Sequence, residues 1–186
     1  MAKDQVRADA VRNRARIVGA ARAQIAAHGV DVGMDEIASA AGVAVGTLYR
    51  HFPTKRHLVS AVVATYVEGA THDAEACMQR ARSGETKPVD EVTGYLRRVA
   101  DSSADHFAVK AVARGLGVDV HSDQSAEARI GAALAELIGL GQAAGDIRNS
   151  VTVDDLFLLM TTLPIDQPAD VRHRWIDLVL PGIINT

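Results

Sequence analysis

The sequence holds a single cysteine, Cys77, and few aromatic residues, which make up 4% of the chain. One cysteine excludes an intramolecular disulfide and a cysteine-based zinc cluster. With few aromatic side chains, packing falls to Ala, Val, Leu and Ile, a mixture that favours helices. No run of about 18 uncharged apolar residues occurs, so no membrane span is expected. The first residues, Met-Ala-Lys-Asp-Gln-Val-Arg, carry charge where a secretory signal needs an apolar stretch, so a cytoplasmic protein is expected. There is no P-loop, G-x-S-x-G or H-E-x-x-H pattern. Gly139-Leu140-Gly141-Gln142-Ala143-Ala144 fits G-x-G-x-x-A, but it ends a helical pattern instead of following a strand, as a dinucleotide site requires. The seven histidines are scattered, and His51 and His57 lack the spacing that puts two ligands on one helical face. Neither a metal nor a cofactor is expected, and an enzyme is not.

At 186 residues, 48% hydrophobic and 23% charged, the chain has the balance of an ordinary globular protein of one domain or two small ones. Its net charge of −3 is unevenly spread: residues 1–57 hold nine Lys/Arg against five Asp/Glu, and 58–186 hold eleven against eighteen. A basic segment joined to an acidic body suits a protein that meets a polyanion with one end.

Apolar residues predict helices over Gln5–Ala27, over two short segments around Gly42, and from Thr54, as N-cap, to about Arg82. Ser83-Gly84-Glu85-Thr86-Lys87-Pro88 is a break. Beyond it, helices are predicted over Val89–Ala104, Phe107–Leu116, Gln124–Ala144, Leu156–Leu163 and about Ala169–Ile184. Thr152-Val153-Asp154-Asp155 has capping-box form, and Pro181 falls within the last helix. Strand alternation is absent, so the fold predicted is all-α with about nine helices.

The segment from Met34 to Phe52 carries the functional signal. Two short helices that cross closely need a small residue at the crossing, a turn residue tolerant of positive φ, and apolar residues that lock the second helix. Ala38, Gly42 and the set Val43, Leu48 and Phe52 meet these demands. With the second helix locked, Val45, Gly46, Thr47, Arg50 and His51 face outward with Tyr49 beside them. Thr47 suits a base or a thymine methyl, Arg50 guanine or phosphate, and Tyr49, His51 and Lys55 suit phosphate.

In register with this, Ile37-Ala38, Ala41-Gly42-Val43, Gly46-Thr47-Leu48-Tyr49, His51-Phe52-Pro53 and Lys55 resemble the TetR family of bacterial repressors, the likeness running over residues 10–60. The chain departs from the family pattern at Val32-Gly33-Met34, where Ser or Thr is common as cap and phosphate contact. The resemblance implies an N-terminal three-helix DNA-binding domain over 1–57 with a helix-turn-helix, and a helical effector-binding and dimerisation domain over 58–186. It implies a homodimeric repressor, released from a pseudo-palindromic operator in double-stranded DNA by a small-molecule effector. The DNA-binding residues expected are Met34, Val45, Gly46, Thr47, Tyr49, Arg50, His51 and Lys55. The effector-pocket candidates are Tyr66, Met78, Tyr95, Phe107, Leu116, Leu134 and Ile138, with His72 and His106, each of which taken singly reads more readily as ordinary core than as a ligand contact. The apolar runs around Leu156, Leu159, Met160, Trp175, Leu178 and Val179 suit a dimer interface or deep core, the interface being favoured. The alternative to this reading is a helical small-molecule-binding protein or enzyme without DNA binding.

Overall fold

The computed structural model describes residues 2–118 and 124–185, and their side chains except those of 2–4, 6 and 103–106. Among the described residues there are eight α-helices and one 3-10 turn: α1 Ala2–His28, the turn Gly29–Asp31, α2 Met34–Ala40, α3 Val45–His51, α4 Lys55–Ser83, α5 Pro88–Gly115, α6 Gln124–Ala143, α7 Val153–Thr162 and α8 Ala169–Ile183. The all-α expectation agrees with this. The division at residues 105–106 does not, because α5 is continuous where two helices were predicted. Polar Ser102, Ser103, Asp105 and His106 interrupt the apolar pattern, but with no Gly or Pro in the stretch the backbone passes through.

The chain forms two compact units, Met1–Tyr66 with Asp105–Ser122, and Val67–Ala104 with Asp123–Thr186. The first is built on α1, whose Ile17, Val18, Ala21 and Ile25 recur at helical spacing and are buried with Ile37, Ala38, Leu48, Phe52, Leu58, Val59 and Val62. Val109, Val112 and Ala113 of α5 complete that core. Thr54 caps α4 by accepting the His57 N–H at 3.3 Å, as expected. Arg56 donates to the Gly117 carbonyl at 2.9 Å.

The second unit buries Ala74 and Cys77 of α4, Val92, Tyr95, Leu96 and Ala100 of α5, Leu134, Leu137 and Ile138 of α6, Leu156 of α7, and Ile176, Leu180 and Ile183 of α8. The capping box forms: the Thr152 N–H donates to Asp155 Oδ2 at 2.8 Å, and the Asp155 N–H returns a bond to Thr152 Oγ1 at 3.4 Å. The Thr152 N–H and the Thr152 hydroxyl, each donating to Oδ2 at 2.8 Å, hold the Asp155 carboxyl below its ordinary range. Gly141 permits the close approach that ends α6, since a Cβ there would fall 2.4 Å from Ile147 Cδ1. Packing at the helix end therefore accounts for Gly141, whereas a Cβ at Gly139 would meet nothing within 4 Å. Buried Arg172 ties α8 inward, donating to the carbonyls of Ala100 at 2.8 Å and Gln167 at 2.6 Å.

A polar cluster lies between α4 and α5 in this unit. Arg80 grips the buried carboxylate of Glu91 with two bonds, Nε to Oε1 at 2.7 Å and Nη2 to Oε2 at 2.6 Å, and the Thr86 hydroxyl donates to Oε1 at 2.7 Å. Arg98 pairs with Asp73 at 2.9 Å and donates to Cys77 Sγ at 2.9 Å. Arg80 reaches the same sulfur at 3.4 Å.

Candidate nucleic-acid interface

Gly33 caps helix α2, and its N–H donates to Glu36 Oε2 at 2.7 Å. Glycine offers no side chain in return, so this is half of a capping box. At the other end, the Val43 N–H bonds the Ala38 carbonyl at 3.0 Å while Gly42 takes φ +63°, the left-handed conformation that only glycine adopts cheaply. Arg16 of α1 locks the turn by donating to the Gly42 carbonyl at 3.2 Å.

Buried Ala38 lets α2 and α3 approach, and Leu48 and Phe52 anchor α3 with no more than 3% exposure. The Arg14 guanidinium lies over the Phe52 ring, 5.2 Å from its centroid. The rest of α3 follows from that anchoring, because residues a half-turn from Leu48 are turned away from the core. Val45, Gly46, Tyr49 and Arg50 are exposed, and Thr47, His51 and Lys55 are half-buried. The structure thus gathers seven of the eight expected DNA-binding residues on α3 and the start of α4.

Met34 is the exception. It is only 9% exposed and belongs to the core of the first unit, so its side chain is not offered to DNA. Its spacing from Ile37, Ala38 and Ala41 puts it on the packed face of α2. Lys55 has work within the protein as well, since its Nζ donates to the carbonyls of Val30 and Val32, each at 2.6 Å. Arg14 and Arg16 were missed as parts of this site. Nothing local marks them, because their contacts bridge distant stretches of sequence.

The effector-pocket candidates are not all brought together. Met78, Tyr95, Leu134 and Ile138 share the second unit's core, whereas Tyr66 and Leu116 pack on the first unit's. Phe107 is 52% exposed and His72 is exposed. The His106 side chain lies outside the described residues. Among the interface candidates, Leu156 is fully buried in its own protomer's core and is removed from that set. Leu178 is 62% exposed, with Leu159, Met160, Trp175 and Val179 half-buried. Leu158, within the same apolar run, is 60% exposed. About 100° of turn per residue from buried Leu156 puts it on the outer face.

Among the described residues, no group of three or more His, Cys, Asp or Glu could hold a metal ion, and no helix is long and apolar enough to cross a membrane.

Sequence families match both parts of the chain. Residues 17–62 match the model described as bacterial regulatory proteins, tetR family, and residues 87–184 that of the C-terminal domain of SbtR-like transcriptional regulators. Comparison with the curated proteins finds no significant match. Among solved structures, a TetR transcription regulatory protein from Mycobacterium vanbaalenii is 35% identical over 97% of this chain and 99% of its own, with a TM-score of 0.79. A TetR transcriptional regulator from Streptomyces coelicolor is 27% identical over 93% of this chain and 99% of its own, with a TM-score of 0.75. A transcriptional regulator from Saccharomonospora viridis, in complex with choline, shares the fold at 21% identity over 93% of this chain and 98% of its own, with a TM-score of 0.66. Sequence and fold therefore agree along nearly the whole length, and the chain belongs to the TetR family of bacterial regulatory proteins, as a DNA-binding transcriptional regulator.

Proposed function

We propose that the protein is a homodimeric repressor that grips a pseudo-palindromic operator through α3 and lets go when a small molecule binds. The observation that carries this is the division of α3 into a buried edge, Leu48 with Phe52, and an accessible edge bearing Val45, Gly46, Thr47, Tyr49 and Arg50. Residues 1–57 bind DNA and residues 58–186 bind the effector and dimerise. His51 and Lys55 lie beside the reading edge, within reach of phosphate. Two copies are needed because one short helix makes too few base contacts, and a pair about 34 Å apart reads two half-sites. The exposed or half-buried Leu158, Leu159, Met160, Trp175, Leu178 and Val179 of α7 and α8 supply an apolar face suited to such a pairing. Met78, Tyr95, Leu134 and Ile138 are the effector candidates that share a core. The protein works as a binder, not a catalyst, and in the cytoplasm, where operator DNA is. An effector acts by binding better to the state in which the two α3 helices no longer match the operator.

A mobility-shift titration on the DNA upstream of the gene tests the reading. Binding is expected to weaken steeply with salt, by about 0.9 in log K per log salt for each phosphate neutralised. Binding that is absent, or indifferent to salt, would exclude it.

A further inference from the structure

Threonines inside helices ordinarily spend the hydroxyl on a carbonyl one turn back. Here Thr65 donates to Ala61 at 3.0 Å, Thr71 to Val67 at 2.8 Å, and Thr162 to Leu158 at 2.8 Å. Thr47 differs. Among the described residues its Oγ1 makes one hydrogen bond, in which it accepts from Arg50 Nη2–H at 2.8 Å. The same guanidinium donates through Nε–H to the Gly46 carbonyl at 3.2 Å, so it is folded along one turn of α3 and not extended into solvent.

The chemistry of the pair follows from counting protons. A hydroxyl has one proton and two lone pairs. One lone pair of Thr47 is taken by a cationic donor, whose charge turns the hydroxyl proton away from it. A guanidinium carries five N–H groups and no acceptor. Two are engaged with Thr47 and Gly46, which leaves three. What the two side chains jointly offer is therefore four donor protons against one remaining hydroxyl lone pair, held in place before any ligand arrives.

We propose that Thr47 and Arg50 form one donor-rich reading unit for the major-groove edge of guanine. Guanine is the base that presents two adjacent acceptors there, O6 and N7. Adenine sets a donor beside its N7, cytosine offers its amino group, and thymine places a methyl next to O4. Because the guanidinium is already held, less freedom is lost on binding than an extended arginine would lose. The inference rests on α3 being the DNA-reading helix.

The test begins with the full-length wild-type protein and a pool of random duplexes. Wild type is expected to select guanine at one position per half-site, and placing cytosine or 7-deazaguanine there should weaken binding roughly tenfold or more. Thr47→Val and Arg50→Ala should each erase the preference at that same position, and the double variant should lose no more than either alone. Preferences elsewhere in the site and the melting temperature should stay as in wild type, which separates this role from a structural one. The proposal is overturned if the two variants alter different positions, or if neither alters any. It is also overturned if both weaken all sequences equally and lower the salt dependence, the signature of a phosphate contact. If wild type selects no duplex, α3 is not a reading helix and both readings fall.

Discussion

Leu48→Ala is expected to destabilise the protein by about 3 kcal/mol, within the range of 2–5 kcal/mol seen for large-to-small changes in sealed cores. Leu48 is fully buried in the cluster that joins α1, α2 and α3, so the removed methyl groups leave a void that no water fills. Against a total stability of about 5–15 kcal/mol, that is a large share. The second consequence is functional. Leu48 fixes the rotation of α3 about its own axis, so operator affinity should fall even under conditions where the variant remains folded. Tyr49→Ala, one residue along and 45% exposed, should change stability by about 0.5 kcal/mol or less while still weakening DNA binding. Urea unfolding and a mobility-shift titration of the two variants decide the matter. If Leu48→Ala were as stable as wild type, the anchoring described for α3 would be wrong.

Glu91→Gln should cost about 3 kcal/mol at neutral pH and should change how stability depends on acid. The hydrogen bonds from Arg80 hold the Glu91 carboxyl down at about 2, from an ordinary value of 4.5; burial pushes it the other way, and Thr86 adds to the lowering. A folded-state value below the unfolded one stabilises the protein above the unfolded value, and the contribution is lost as pH falls through the folded one. The wild type should therefore lose stability between about pH 5 and pH 2, and Glu91→Gln should be much less sensitive over that interval. Glutamine keeps the shape but leaves the half-buried Arg80 guanidinium without its counter-charge and gives up the two charge-assisted bonds to the buried carboxylate. Thermal melts of both proteins at several pH values provide the check. Parallel curves would show that Glu91 is not the group responsible.

The helix-turn-helix was legible because its constraints are local. A glycine forced to positive φ, a small residue four positions before it, and two large apolar residues on one side of α3 together leave little freedom in how the segment folds. The Thr152–Asp155 cap was legible for the same reason, both partners lying within one turn. Met34 shows where two signals conflict. Its spacing with Ile37 and Ala38 placed it in the core, while its position in the family pattern placed it at the DNA, and packing prevailed. Leu156 was assigned to an interface because the run from Leu156 to Met160 has no polar gap, yet a helix turns successive residues to different sides. What remained hidden depends on contacts between distant stretches: Lys55 on the carbonyls of Val30 and Val32, Arg16 on Gly42, and Arg80 on Glu91. The folded-back Arg50 was hidden otherwise, since Thr47 lies within one turn but sequence does not fix which rotamer a long side chain takes.

The sole cysteine has a practical consequence. Cys77 is sealed in the second unit between two guanidinium groups, and burial, with Glu91 and Asp73 nearby, pushes its thiol up to about 11. Thiolate is the reactive form, so maleimide and disulfide reagents have almost nothing to attack while α4 and α5 stay closed. A cysteine engineered onto the surface would then be the only one to take a fluorophore or spin label, with the native thiol left in place. Slow modification of Cys77 itself would time the opening of the two helices.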